Sequence, residues 1–149
     1  MNPVLTRIAC LNDVSAIAIL FDAYRQFYQQ KPNLPLATEF IRQRLQHNES
    51  TIIVAEQAES LLGFCQLFPS FCSVEAVRIA ILYDLYVRPE ARRTGTGKAL
   101  LIAAGEHTSK NGFARLELST AINNLSAQSL YETQGWVRNE SFFYYSKSV

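Results

Sequence analysis

The sequence predicts an α/β chain of the α+β kind, with a mixed, mostly antiparallel central sheet flanked by helices. Three observations predict it. Apolar residues between positions 14 and 46 recur at three- and four-residue spacing, the period of helices with one buried face. The period then changes, and three apolar segments rich in Ile, Val, Leu and Phe follow one another at 51–56, 61–71 and 77–87 without an intervening helix. Successive strands of this kind form hairpins, and the helix–strand–helix order after them returns the chain to the sheet. At 149 residues the length suits one domain, 1–149, with its own core. No linker, repeat or low-complexity tract divides it.

The expected order is β-α-α-β-β-β-α-β-α-β-β. VLTRIA (4–9) reads as a short strand, and Asn12 and Asp13 can cap the helix after it. Val14, Ile17, Phe21, Tyr24 and Tyr28 share one face of that helix, which Pro32 and Pro35 then end. A second helix turns Phe40, Ile41 and Leu45 inward. TIIVAE (51–56), LLGFCQLFPSF (61–71) and VRIAILYDLYV (77–87) are strands. KALLIAAGEHTSK (98–110) is a helix with Gly112 as its stop, ARLELS (114–119) a strand, and SAQSLYETQ (126–134) a helix ended by Gly135. The last segment, GWVRNESFFYYSKSV, reads as two strands joined around Asn139.

The composition excludes several classes. A net charge of +1 gives no broad basic face for nucleic acid or a membrane surface. Three cysteines, Cys10, Cys65 and Cys72, are an odd number without CxxC spacing, which is no disulfide framework and no metal site. They read as buried, reduced thiols, pointing to a reducing compartment and a cytoplasmic protein. The N-terminal residues lack the charged and apolar regions of a signal peptide, and no apolar run is long enough to span a bilayer. His47 and His107 are isolated and read as surface or cap residues.

The chemistry concentrates in ARRTGTGKALL, residues 91–101. Glycines, threonines and cations sit between a predicted strand and a predicted helix. The N–H groups at a helix start are unpaired and carry partial positive charge, so an anion placed there is stabilised. Two phosphate motifs do not fit. A Walker loop needs Ser or Thr after Gly97-Lys98, where Ala99 stands, and its first glycine falls on Arg92. A dinucleotide fingerprint needs glycine or alanine where Leu100 stands.

One pattern does fit: Arg92-x-x-Gly95-x-Gly97 directly after YDLYV and RPEA. Here the sequence resembles the GNAT family of N-acetyltransferases. A second stretch strengthens the resemblance: Asn124-x-x-Ala127-x-x-Leu130-Tyr131 followed by Gly135-Trp136. Both motifs occur in the family's order, and the expected elements match its fold along nearly the whole chain.

The resemblance implies acetyl-CoA as co-substrate and no metal. Its pyrophosphate would lie on the loop of Arg92, Arg93, Thr94, Gly95, Thr96, Gly97 and Lys98. Its pantetheine arm would pair with the strand end carrying Leu85, Tyr86 and Val87. There a backbone N–H, of Leu85 or of Tyr86, would polarise the thioester carbonyl. Tyr131 stands where the family often carries its general acid, or it packs in its helix. Asn124, with Ala127, would touch the cofactor arm, and Asn124 equally suits a helix N-cap. Asp84 is the candidate base or amine-attracting group, or else a buried structural acid. Polyamine-type members often read Glu-Asp at this point, whereas here it reads Tyr83-Asp84, with one acid instead of two.

Alternation puts Tyr83, Leu85 and Val87 on one sheet face and Asp84 with Tyr86 on the other. Tyr24, Phe27, Tyr28 and the stretch Phe68 to Phe71, taken as a loop near the strands, are acceptor-pocket candidates, though a Tyr24/Tyr28 stripe also reads as core. The expected function is acetyl transfer to a primary amine, a small diamine, amino acid or related metabolite, directly through a ternary complex. The alternatives are a non-catalytic acyl-CoA-binding module and a protein N-terminus or lysine acetyltransferase. A homodimer, built through the final aromatic run, is the expected assembly.

Overall fold

In the computed structural model of the chain, residues 2–149 are described. They form two compact units, one running through Ser119 and a second, Thr120–Val149. The first unit carries a five-stranded sheet in the order β1-β2-β3-β4-β5. The strands are β1 (Leu5–Ile8), β2 (Thr51–Gln57), β3 (Ser60–Cys72), β4 (Val77–Val87) and β5 (Leu116–Glu117). All neighbours pair antiparallel except β4 and β5, which are parallel. The helices are α1 (Val14–Phe27), α2 (Leu34–Gln46) and α3 (Thr96–Lys110).

The periodicities set which faces are buried. Val14, Ile17 and Phe21 of α1 and Ile41 of α2 pack with Ile52, Val54, Phe64 and Tyr86 from one face of the sheet. The alternate residues serve α3 on the other face, where the Cys65 thiol points at the Leu100 carbonyl. Burial pushes that thiol up to about 12. Phe64 is fully buried, and its loss to Ala would cost about 3–5 kcal/mol.

Several expectations are corrected. Pro35 does not end α1: it lies in the first turn of α2, where its missing N–H costs nothing. Tyr28 and Gln29, the latter at φ +66°, end α1 before it. The strand expected at 61–71 does form and includes Phe68 to Phe71, so of these only their assignment to a pocket loop is revised. Cys10 is exposed and Cys72 half-buried, so only Cys65 is a buried thiol. Cys10 sits at the entry to α1, where its backbone serves the cap instead of its side chain packing. The strand expected at 114–119 is confined to Leu116–Glu117, because its register with β4 covers only Ala80 and Ile81.

In the second unit, α4 (Leu125–Thr133) forms as expected. The two strands expected after it do not. A strand needs a partner for its ladder, and the 136–149 segment makes local bonds instead: Ser141 N–H donates to Asn139 Oδ1 at 2.8 Å, and Arg138 pairs with Glu140. Phe142 to Tyr145 stay exposed.

Candidate active site

The site in the first unit begins with an irregularity of the β3–β4 ladder. Gln66 pairs with Asp84, but Leu67 pairs with Leu82, so Tyr83 is an extra, unpaired residue. Such a bulge re-aims the side chains after it. Asp84 and Tyr86 share the face of Gln66 and Phe64, toward α1, while Leu85 and Val87 share that of Cys65 and Gly63. The expected division of Asp84 and Tyr86 from Leu85 and Val87 therefore holds. Tyr83 lies outside it and is exposed.

Asp84 is half-buried. Burial pushes its carboxyl up, while hydrogen bonds from Gln66 and Tyr24 act the other way. Gln66 Nε2 donates to Asp84 Oδ2 at 2.7 Å, and Ser50 Oγ donates to Gln66 Oε1 at 2.7 Å. The Tyr24 hydroxyl lies 3.1 Å from the Tyr83 carbonyl, so its single proton is shared between that oxygen and Asp84, tying α1 to the bulge. Sequence reasoning missed Gln66 and Ser50. A glutamine inside the apolar run GFCQLF was the available signal, because a buried amide needs partners.

Around Asp84 the aromatics form one cluster. The Tyr24 ring lies 5.2 Å from Tyr28, 6.2 Å from Phe64 and 6.1 Å from Tyr86. Tyr24 is thus both packed on the core and hydrogen-bonded at the bulge. Tyr28 and Phe27 are exposed at the end of α1.

Backbone polarity completes this part. Arg88 N–H donates to the Leu62 carbonyl at 2.9 Å. Alternation then turns the N–H and C=O groups of Tyr86 and Asp84 toward β3, and those of Leu85 and Val87 toward the opposite edge. On that edge β5 pairs no farther than Ile81. The Val87 carbonyl there accepts from Arg92 Nε at 2.8 Å, and the Arg92 guanidinium lies 5.4 Å from the centre of the Tyr86 ring. Gly63 lets the strands close: a Cβ on it would lie 2.5 Å from the Tyr86 carbonyl oxygen.

The loop after β4 leads into α3. Arg93 and Gly95 both have positive φ, +60° and +89°, and Gly95 is the N-cap. No side chain caps this helix. Thr94 donates to the Ala91 carbonyl at 2.6 Å and faces Thr96 Oγ1 at 3.1 Å, so neither hydroxyl serves the helix start. Arg93 and Lys98 are exposed, and among the described residues neither makes an ion pair. Gly97 is half-buried in the first turn. The arrangement offers unpaired N–H groups and two cations to an anion. Arg92, also exposed, gives its Nε–H to β4.

In the second unit Asn124 is the N-cap of α4, its side-chain oxygen accepting from Ala127 N–H at 3.2 Å. At the other end Trp136 N–H donates to the Tyr131 carbonyl and Gly135 N–H to that of Glu132, with Gly135 at φ +88°. This is a Schellman motif, and it explains the glycine and tryptophan after Tyr131. The Tyr131 and Trp136 rings meet at 6.0 Å. Among the described residues no group of three potential ligands is placed to hold a metal, and no helix is long and apolar enough to cross a membrane.

The chain is similar to known proteins in sequence and in fold. The model of the Acetyltransferase (GNAT) family matches residues 16–136. The uncharacterized N-acetyltransferase YhfO of Bacillus subtilis is 43% identical over 96% of each chain. A probable acetyltransferase of Haemophilus influenzae is 30% identical, covering 85% of this chain and 86% of its own. The crystal structure of a probable acetyltransferase superposes with a TM-score of 0.89 at 35% identity, covering 99% of this chain and 97% of that one. With the family model matching most of its length, the chain belongs to the Acetyltransferase (GNAT) family and is an acetyl-CoA-dependent N-acetyltransferase.

Proposed function

We propose that this enzyme transfers the acetyl group directly, in a ternary complex, to the primary amine of a small molecule such as a diamine or amino acid. The observation that carries the reading is the uncapped, glycine-led start of α3 following a strand whose outer edge is open at Leu85. The amides of Thr94 to Lys98, with the Arg93 and Lys98 side chains, hold the pyrophosphate of acetyl-CoA. Bound there, acetyl-CoA supplies a thioester carbonyl and a thiolate leaving group. Leu85 N–H donates to the developing oxyanion, a role that the strand's alternation denies to Tyr86. Arg92 acts by fixing the strand end through the Val87 carbonyl.

Asp84 takes the proton of the attacking amine through water and draws cationic amines to the Tyr24 and Tyr28 rings. Tyr131 protonates the leaving thiolate. Its place in the Asn124-to-Tyr131 motif and its firm hold at the end of α4 support that role. Asn124 and Ala127 order the start of the same helix, and a contact with the cofactor arm belongs to the proposal. The family match runs through both compact units, which supports one domain over 1–149. A homodimer and a cytoplasmic location belong to this proposal. The exposed run Phe142 to Tyr145 is the segment that would pair in the dimer.

The test is coenzyme A release from acetyl-CoA across diamines, amino acids, aminoglycosides and peptides. Saturable release with a small amine is expected. The rate should rise with pH through a carboxyl held above the ordinary range, because Asp84 must be ionised to accept a proton. Release with peptides alone would replace the small amine by a protein acceptor. Binding of acetyl-CoA without release to any amine would favour a binding module.

A further inference from the structure

Gln66 is a fully buried polar side chain in the middle of β3. Its amide has both ends engaged, and the two engagements depend on each other. An ionised carboxylate only accepts hydrogen bonds, so the amide must present its NH2 group to Asp84. Its oxygen then points the other way, to the Ser50 hydroxyl, which donates at 2.7 Å. A flipped amide would set two acceptors against each other at Asp84, whereas the Ser50 hydroxyl can donate or accept. Asp84 therefore sets the amide orientation, and Ser50 supplies the partner that the far end of this buried amide needs.

The surroundings give Asp84 little else. Among the described residues no lysine, arginine or histidine forms an ion pair with it. The titratable groups near it include the Tyr24 hydroxyl from α1, the Tyr86 hydroxyl on its own strand and face, and the Cys65 thiol from β3, a thiol that burial and the Asp84 charge keep protonated. Neutral donors must then stabilise a carboxylate that burial opposes. Gln66 gives that carboxyl a hydrogen bond of 2.7 Å.

We propose that Gln66, braced at its far end by Ser50, is a positioning residue that holds the Asp84 carboxylate in its proton-accepting orientation. The proposal rests on the reading of Asp84 as proton acceptor. It assigns a function to two residues outside both sequence motifs, one of them on the approach to β2.

The test combines two readouts on Gln66→Met, Ser50→Ala and Asp84→Asn. The first is a carbon-13 titration of the aspartate carboxyls, with Asp84 assigned by the loss of its signal in Asp84→Asn. The second is the pH profile of kcat/KM. In Gln66→Met the Asp84 midpoint should move to higher pH, and kcat/KM near neutrality should fall about tenfold with KM for acetyl-CoA unchanged. Ser50→Ala should move both in the same direction by less. An unmoved midpoint in a folded Gln66→Met protein would reduce Gln66 to packing and overturn the proposal. A moved midpoint with an unmoved kcat/KM profile would overturn instead the role of Asp84 on which it rests. If Gln66→Met does not fold, Ser50→Ala decides alone, since it leaves the amide in place.

Discussion

Helices α3 and α4 begin in opposite ways. Asn124 closes the start of α4 by accepting from Ala127 N–H at 3.2 Å, and Asn33 does the same for α2 through Leu36 N–H at 3.1 Å. Helix α3 begins at Gly95, at φ +89°, with no cap and two nearby threonines whose hydroxyls are engaged elsewhere. An N-cap is worth about 1 kcal/mol. A helix that forgoes it keeps its first amides available, and here two exposed cations accompany them. The contrast teaches that a side chain closes the start of α4 while the start of α3 is left without one. It also separates the backbone role proposed for α3 from the side-chain role proposed for Tyr131.

Four changes test that separation. The largest effect is expected from Tyr131→Phe, which removes the hydroxyl and keeps the ring against Trp136. Turnover should fall on the order of 10²–10³-fold with acetyl-CoA affinity within a factor of three. A loss of affinity with unchanged turnover would move Tyr131 out of the chemistry. Next is Gly95→Asp, which sets a carboxylate among the α3 amides. Acetyl-CoA affinity measured by calorimetry should drop about a hundredfold, or about 2.7 kcal/mol. Equal affinity would show that α3 does not hold the phosphates.

Asn124→Ala sharpens the comparison from the other side. Unfolding should show a loss of about 1 kcal/mol from the cap. A rise in KM for acetyl-CoA beyond that loss would show the residue serving the cofactor as well.

The smallest effect concerns a fourth helix entry. Asp13 Oδ2 accepts from Cys10 N–H at 2.8 Å before α1, and Asp13 pairs with Arg7 at 2.9 Å. The Arg7 guanidinium, first among the causes, holds the Asp13 carboxyl down to about 2. A depressed native value stabilises the fold above the unfolded value of about 3.9, and that stabilisation is lost as pH falls toward 2. Thermal unfolding should show this acid decline, and Asp13→Asn should flatten it.

What was legible in the sequence was local. The glycine-led start of α3, the caps and the glycine after α4 depend on spacings of a few residues, so Gly95, Asn124 and Gly135 could be read from the chain alone. The central strands were legible because β2, β3 and β4 are long runs of apolar residues rich in Ile, Val, Leu and Phe. The Ser50–Gln66–Asp84 chain was not, because it depends on the register of distant strands and on a bulge at Tyr83 that no residue type announces. The bulge also makes Leu85 rather than Tyr86 the residue facing the open edge. At 136–149 the aromatic run has strong β-propensity, and propensity without a partner strand forms no ladder.

The most direct test of the central claim is a nitrogen-15 amide NMR titration of the protein with acetyl-CoA. The account predicts that the amides of Thr94 to Lys98 and of Leu85 shift most and saturate together. Saturable binding that leaves those amides unmoved would contradict it.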